Sequence, residues 1–370
     1  MSANDPLSDL RDAISDVDRA LLELLRRRMD LAAEVGRLKA ASGAPIVVRD
    51  IEDRVLTRAR HYAEACGVSE KVMEEVFEAI IQGSVERQHR VGISLREQRG
   101  ERMLLVGGSG GMGTWLRGFF ELAGHVVDLV DPSLGTLPRA QGRFGRLEDV
   151  PDLDVYAAIW VAVPLARTPK VVEELVARSP KGVVIEVASI KDPLTGVLAQ
   201  ARERGVRVIA LHPMFGPSKS FYETLTFVLA SHGDPQEERR RLDRLLLHPY
   251  TRLVTVPFPH HDRLMGWLLG LAHLTNILFG AAVTRSGVSP DELRACASTT
   301  FTRQVNAARP VLDEDPDLYL DIQHLNPHRH EVYAATREAL AQIEALVERR
   351  DREGFREVLT AARRALGEKD

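Results

Sequence analysis

Three groups of residues in this 370-residue chain have types and spacings that could do chemistry. The first is the glycine turn Gly108-Ser-Gly110-Gly-Met-Gly113, followed by Asp131. Glycine at 108 permits a tight turn, at 110 the close approach of a pyrophosphate, and at 113 close packing of helix on strand. The helix N-terminus that follows supplies N–H donors and the positive end of a dipole. A carboxylate about 20 residues beyond accepts hydrogen bonds from a ribose 2′-OH and repels a 2′-phosphate, which favours NAD over NADP. The second group is His212, at the end of an apolar run, with Ser189 at the end of another. Imidazole titrates near neutrality and can take a proton from a substrate hydroxyl. Ser189 could orient that hydroxyl or a nicotinamide. The third group is basic. Arg28 interrupts the apolar stripe of a long helical segment, and Lys39 follows it. Their azimuths differ by only roughly 20°, and they stand about 16 Å apart along the axis. Two inward cations are costly unless an anion lies between them. Arg11 is some 25 Å from Arg28 along the same axis. It can join such a site only in the partner chain of an antiparallel dimer.

The elements that must position these groups follow from periodicity. Met103 to Val106 reads as a buried strand, and Trp115, Leu116, Phe119, Phe120 and Leu122 mark an amphipathic helix. Val126 to Val130 is a second strand, ending on Asp131. Tyr156 to Val163 is a third, ending on Pro164, and Val183–Val187 and Val206–Leu211 follow. Strands alternating with helices imply a parallel sheet whose ligands bind at the carboxyl ends, so Val163 and Pro164 are expected to border a cofactor. His212 is expected in a loop stiffened by Pro213 and Gly216-Pro217. Toward the N-terminus, residues 7–40 carry a helical period that Gly43-Ala-Pro45 ends, and two helices near 49–66 and 69–90 are separated by Gly67. Two shorter helices cannot cover the stripe of the long one, which predicts an intertwined dimer. Residues 91–101 read as a polar linker. From Pro257 the chain is helical, with amphipathic stretches at 290–309 and 332–366. Met265 to Val283 is mostly apolar but carries His273, Thr275 and Asn276 without flanking anchors, so a buried helix is expected rather than a membrane span.

Composition narrows the function classes. Hydrophobic residues make up 44% and charged residues 28%, with a net charge of −4, which suits a soluble enzyme and gives no reason to expect nucleic acid or an anionic membrane as partner. The two cysteines, Cys66 and Cys296, have no metal-ligand or redox spacing, so no metal is expected. No basic region precedes an apolar run at the N-terminus, and a cytoplasmic location is expected.

Residues 6–90 resemble the small all-helical chorismate mutases. The resemblance implies that Arg28 and Lys39, with Arg11 from the partner chain, hold the substrate carboxylates and ether oxygen. It also places Glu52 at the substrate hydroxyl and Gln88 at the ether oxygen, with Ser84 one turn earlier. The family's arginine just before that glutamate is Ile51 here. ALHPMFGP (210–217), VASIK (187–191) and the glycine turn resemble the prephenate dehydrogenases, and the order of segments resembles the bifunctional chorismate mutase–prephenate dehydrogenases. That likeness implies a multidomain α and α/β fold: a helical mutase-like domain (1–91), a Rossmann-type NAD-binding domain (102–256) and a helical dimerisation domain (257–370). It implies His212 and Ser189 as catalytic residues, with His261 and His273 matching histidines of the helical domain. Arg303 and Arg309 are candidates for substrate carboxylates, since a guanidinium grips carboxylate in bidentate fashion. The likeness implies that the carboxylate-binding arginine lies shortly before an acidic-Pro turn, here Asp315-Pro316, which favours Arg309, followed here by Pro310. The implied function is tyrosine biosynthesis by a homodimer, from chorismate through prephenate to 4-hydroxyphenylpyruvate with NAD. Two alternatives stand beside it. One is the same chemistry on the 4-amino-4-deoxy analogue; the other is a dehydrogenase whose mutase-like domain only dimerises or regulates.

Overall fold

A computed structural model describes residues 6–42, 49–94, 100–134, 142–221, 223–246 and 251–367. The chain divides into two compact units. One comprises Met1–Ala158, Met214–Thr226 and Asp243–Arg252, and the other Ile159–Pro213, Phe227–Leu242 and Leu253–Asp370.

The first unit begins with helices α1 (Pro6–Ser42), α2 (Arg49–Cys66) and α3 (Glu70–Ser94). The predicted stop at Gly43-Ala-Pro45 lies outside the described residues. Helix α3 continues to Ser94, past the expected start of a linker at 91. Small residues set the packing: Ala32, Ala33, Ala59 and Ala63 are buried. At Gly36 an added Cβ would stand 2.6 Å from the Gln88 carbonyl oxygen, so α1 and α3 touch through their backbones. The α1 stripe itself is uncovered, with Leu7, Leu10, Ile14, Val17 and Leu21 all exposed. Strand β1 (Arg102–Val106), helix α4 (Gly111–Leu122) and strand β2 (Val126–Val130) follow, then the short β3 (Arg143–Phe144). Strands β1 and β2 are parallel, from Arg102 opposite Val126 to Val106 opposite Val130, and the order in this unit is β3-β2-β1. Buried Asp128 on β2 accepts hydrogen bonds from Arg102 Nε (2.8 Å) and from the Tyr156 hydroxyl (2.7 Å). Burial raises the Tyr156 phenol pKa, and the Asp128 carboxylate adds to the effect.

The second unit carries β4 (Ala158–Val161), α5 (Thr168–Arg178), β5 (Val183–Glu186), α6 (Thr195–Glu203), β6 (Val208–Pro213), β7 (Leu225–Ser231), α7 (Pro235–Leu245) and β8 (Thr251–Pro257), in strand order β4-β5-β6-β7-β8. Strands β5 and β6 are parallel, whereas β6 and β7 are antiparallel. That antiparallel partner changes one expectation. His212 and Pro213 lie within β6, paired with Val228 and Phe227, and not in a loop. Ladder pairing overrides the turn signal of His-Pro, and Pro213 is tolerated because it needs only to accept.

The helical remainder comprises α8 (Phe258–Met265), a π-helical stretch Gly266–Leu271, α9 (Ala272–Thr284), α10 (Pro290–Ala295), α11 (Thr299–Leu312), α12 (Pro316–Leu325), α13 (Arg329–Glu348) and α14 (Arg352–Ala365). The expected stretch 290–309 breaks where Ser298 caps α11, and 332–366 breaks where Arg350 turns left-handed and Asp351 caps α14. Phe258–Thr284 forms one 27-residue helix, long and apolar enough to cross a membrane by length and composition. The expectation that Met265–Val283 is buried is not met. Only 11% of its most apolar window is buried, because this chain lays too few residues over it.

Candidate active sites

The basic group on α1 is partly assembled. Arg28 is half-buried and donates to the Ile80 carbonyl (3.0 Å) and to the hydroxyl of buried Ser84, both on α3. Burial lowers the Arg28 pKa. Gln88 is half-buried, and its Oε1 is buried without a hydrogen-bond partner. Lys39 and Glu52 are also half-buried. Arg11 is exposed on α1, and Ile51 is exposed beside Glu52 on α2. The structure thus joins Arg28 to Ser84 and leaves the Gln88 acceptor waiting for a donor, an orphan that costs stability unless a ligand meets it.

The glycine turn joins β1 to α4. The left-handed residue is Gly107 (φ +88), one position before the expected Gly108, because the turn begins as soon as β1 leaves Val106. At Gly108 an added Cβ would lie 2.7 Å from Leu129 Cδ2, and at Gly113 it would lie 2.0 Å from the Gly107 carbonyl oxygen. Gly113 is therefore demanded by backbone packing, whereas a side chain at Gly108 would require Leu129 to shift. Gly110 caps α4 without any side-chain hydrogen bond, so the N–H groups of the helix start are not taken up by a cap. Asp131 Oδ2 accepts from Ser109 N (3.0 Å), and Oδ1 accepts from Ser133 N (3.0 Å) and the Ser133 hydroxyl (2.7 Å). Partial burial works against its charge, yet these hydrogen bonds hold its pKa below the usual value. An ionised carboxylate braced against the glycine turn fits a nucleotide ribose. On the outer side of α4, Trp115 stacks on Phe119, and its Nε1 donates to the Lys219 carbonyl (2.7 Å).

In the second unit His212 is buried, and its Nδ1 lies 3.1 Å from His261 Nε2. His261 Nδ1 lies 2.7 Å from Asp262 Oδ1. Asp262 also accepts from the backbone N–H of Lys191 (2.9 and 3.1 Å) and of Asp192 (2.7 Å). Lys191, fully buried, donates to Glu186 (2.5 Å) and to the carbonyls of Ala188 (2.8 Å) and Leu211 (2.9 Å). Asn326 reaches the Asp262 carbonyl (2.8 Å) and ties the start of α8 to the turn before α13. Burial, aided by the fields of His261 and Lys191, puts the His212 pKa well below that of free imidazole. Burial also lowers His261, against the pull of Asp262. The result is a neutral imidazole braced from behind.

Ser189 is half-buried between β5 and Lys191, and Val163 and Pro164 follow β4. His273 on α9 stacks edge-on against Tyr319 (4.5 Å), and its Nδ1 is buried without a partner. Arg303 and Arg309 are exposed on α11, and Arg309 borders a cavity of about 690 Å³ with Phe279, Phe301 and Leu312. Pro310 lies inside α11. Glu186, Lys191, Asp262 and Asn326 escaped sequence reasoning. The run VASIK held Lys191, and His261-Asp262 held the carboxylate, but no spacing links them.

The segments that carry these residues resemble known proteins. Residues 10–89 match the model for chorismate mutase type II, 125–247 that for the prephenate dehydrogenase nucleotide-binding domain, and 258–361 that for the prephenate dehydrogenase dimerization domain. The chain is 27% identical to the T-protein of Enterobacter agglomerans over 354 residues, covering 94% of this chain and 90% of that one. It is 26% identical to the 4-amino-4-deoxyprephenate dehydrogenase of Streptomyces pristinaespiralis over 275 residues, covering 72% of this chain and 92% of that one. Among solved structures it resembles prephenate dehydrogenase from A. aeolicus in complex with hydroxyphenyl propionate and NAD+, with a TM-score of 0.58, 17% identity, and coverage of 71% and 96%. The chain belongs to the family in which a type II chorismate mutase is joined to a prephenate dehydrogenase.

Proposed function

We propose that the chain rearranges chorismate to prephenate on its N-terminal helices and then oxidises prephenate with NAD to 4-hydroxyphenylpyruvate, CO2 and NADH. We assign residues 1–91 to the first reaction, 102–256 to the nucleotide and 257–370 to dimerisation and substrate. The observation that carries the reading is the neutral, buried His212, whose Nδ1 is engaged by His261, which leaves Nε2 for the substrate.

In the first reaction no covalent intermediate is needed; the protein holds a compact conformer and stabilises charge on the breaking ether oxygen. Arg28 and Lys39 attract the carboxylates, Glu52 holds the hydroxyl, and the Gln88 side chain reaches the ether oxygen with Ser84 steadying Arg28. Arg11 is exposed on its own chain and serves the site of the partner, so the reading requires a homodimer. The uncovered α1 stripe and the bare Phe258–Thr284 helix support one.

In the second reaction His212 accepts a hydrogen bond from the ring hydroxyl and polarises it, and the proton ends on the phenol oxygen of the product. Bound NAD supplies the hydride acceptor, and Gly108, Gly110, Gly113 and Asp131 hold it, with Val163 and Pro164 alongside. As the ring carbon gives up hydride, the ring carboxylate leaves as CO2 and the ring becomes aromatic. Ser189 orients the hydroxyl, and Arg309, with Arg303 and His273, serves the substrate's carboxylates. We place the enzyme in the cytoplasm, where exposed Cys66 and Cys296 stay reduced.

The test is NADH absorbance after adding chorismate and NAD to the pure protein, with prephenate and NAD beside it. NADH from both substrates is expected. NADH from prephenate alone leaves the helical domain as a dimerisation module, and NADH from neither overturns the reading. A second reading, turnover of the 4-amino-4-deoxy analogue, is favoured by the likeness to the S. pristinaespiralis enzyme. It is tested by comparing kcat/KM for the two substrates.

A further inference from the structure

The hydrogen bonds behind His212 have a direction, and the donors present determine it. Asp262 is surrounded by donors: two backbone N–H groups, from Lys191 and Asp192, and a ring nitrogen of His261. A carboxylate cannot donate, so His261 Nδ1 carries the proton of that contact. With one proton on a neutral ring, His261 Nε2 is bare and must accept. Its neighbour at 3.1 Å, His212 Nδ1, must then donate. His212 is in turn left with an unprotonated Nε2.

We propose that His261 and Asp262 are positioning residues that fix the tautomer of His212, holding its Nε2 as a lone-pair acceptor for the substrate hydroxyl. The inference rests on the reading of His212 as that acceptor and adds how it is prepared. Burial of both rings keeps each neutral near pH 7. The charged groups facing the pair are Asp262 on α8, Lys191 in the turn after β5 and Glu186 on β5. Lys191 and Glu186 neutralise one another at 2.5 Å, so Asp262 alone supplies the unbalanced charge. Lys191 also binds the Leu211 carbonyl, immediately before His212, and so anchors the strand that carries the ring.

Asp262→Asn separates this role from simple scaffolding. The two backbone N–H groups claim the amide oxygen, so the amide nitrogen must face His261 Nδ1. That contact reverses the ring: His261 Nε2 then donates, His212 Nδ1 accepts, and His212 Nε2 acquires the proton. The geometry survives and the lone pair does not, the logic by which an aspartate-to-asparagine change disables a serine-protease triad.

The experiment uses full-length protein labelled with 15N-histidine and reads the protonation of each ring nitrogen by NMR, with His212→Asn and His261→Asn providing assignments. Expected are a bare Nε2 on wild-type His212 and a protonated one in Asp262→Asn. The same variant should lose on the order of 10²–10⁴-fold in kcat with prephenate, while KM for NAD and the mutase rate stay unchanged. A proton on Nε2 of wild-type His212 overturns the proposal without any variant having to fold. Full kcat in Asp262→Asn also overturns it. If His212→Asn itself turns over prephenate normally, the underlying reading of His212 fails instead. If His212→Asn is inactive and Asp262→Asn is active, only the relay fails.

Discussion

Along α1 the residues suited to an anion, Arg11, Arg28 and Lys39, are strung on a helix whose apolar side lies open. Around His212, by contrast, Asp262, Lys191 and Glu186 are buried and hydrogen-bonded to one another within one unit. The first arrangement holds an acceptor with no partner, Gln88 Oε1, and leaves Arg11 pointing away. The second spends its polar groups on each other and keeps one imidazole nitrogen for the substrate. The difference follows from the reactions. A pericyclic rearrangement needs cations placed around a dianion, which a second chain can supply. An oxidation helped by polarising a hydroxyl needs a neutral acceptor in a dry place, which a pre-satisfied network provides.

The sharpest break in that comparison is His212→Asn. Prephenate oxidation should fall by about 10²–10⁴-fold, with chorismate rearrangement untouched, measured by NADH formation and by chorismate loss. The pH profile of the wild type tests the same point. Because the His212 pKa is depressed, its acceptor form persists as pH falls, and the acid limb of kcat/KM should lie well below 6.5. The sign for stability is opposite. A histidine held neutral in the fold gains protons on unfolding, so stability should decline as pH falls through about 6.5, the unfolded value, by up to about 1.4 kcal/mol per pH unit for each such ring. An acid limb at or above 6.5 would remove burial from the account.

Lys191→Met should unsettle the second unit nearly as much. It strands Glu186 without its partner, and breaking a buried pair from one side costs about 3–5 kcal/mol. Denaturant unfolding followed by loss of NADH-forming activity should show the deficit, and adding Glu186→Gln should restore most of it. An unchanged unfolding midpoint in the single variant would mean that the pair carries no such burden.

What the sequence disclosed, and what it hid, divides along the same line. The glycine turn, β1, α4 and β2 were legible because their signals are local: an apolar run, a turn, a helical stripe, a carboxylate. The three N-terminal helices were legible from period alone. The network behind His212 was not, since Asp262 meets Lys191 across 71 positions and His212 meets His261 across 49. No propensity or spacing spans such distances. The turn signal puts His212 in a loop for the same reason, since its strand is extended by pairing with β7, which lies further along the chain. Hydropathy predicts burial of the long apolar helix but does not say whether the cover comes from the same chain or another.

Gly36→Ala sharpens the comparison on the mutase side. A methyl group there would press on the Gln88 backbone at 2.6 Å, and two backbones cannot yield as a side-chain tip can. Overpacking of this kind costs about 1–3 kcal/mol, and it should lower mutase rate and helical melting temperature while prephenate oxidation persists. Equal loss of both activities would mean that the two halves are energetically one.

The smallest effect is also a gain. Ile51 is 46% exposed on α2, beside half-buried Glu52, at the position where the resemblance to the chorismate mutases implies an arginine. An exposed isoleucine contributes little packing, so its replacement should cost almost no stability. A guanidinium at that position adds a charged donor next to Glu52, the proposed partner of the substrate hydroxyl. Hydrogen bonds to charged groups are worth about 1.5–3 kcal/mol, and partial exposure discounts the lower end further. Ile51→Arg should therefore raise kcat/KM for chorismate by roughly tenfold or somewhat less, leaving prephenate oxidation unchanged. A gain of this size would show that the open site on the helices tolerates a missing cation, as a site built from separable charges should. A variant with unaltered kinetics would mean that Glu52 and its neighbours already meet the substrate hydroxyl without help from position 51.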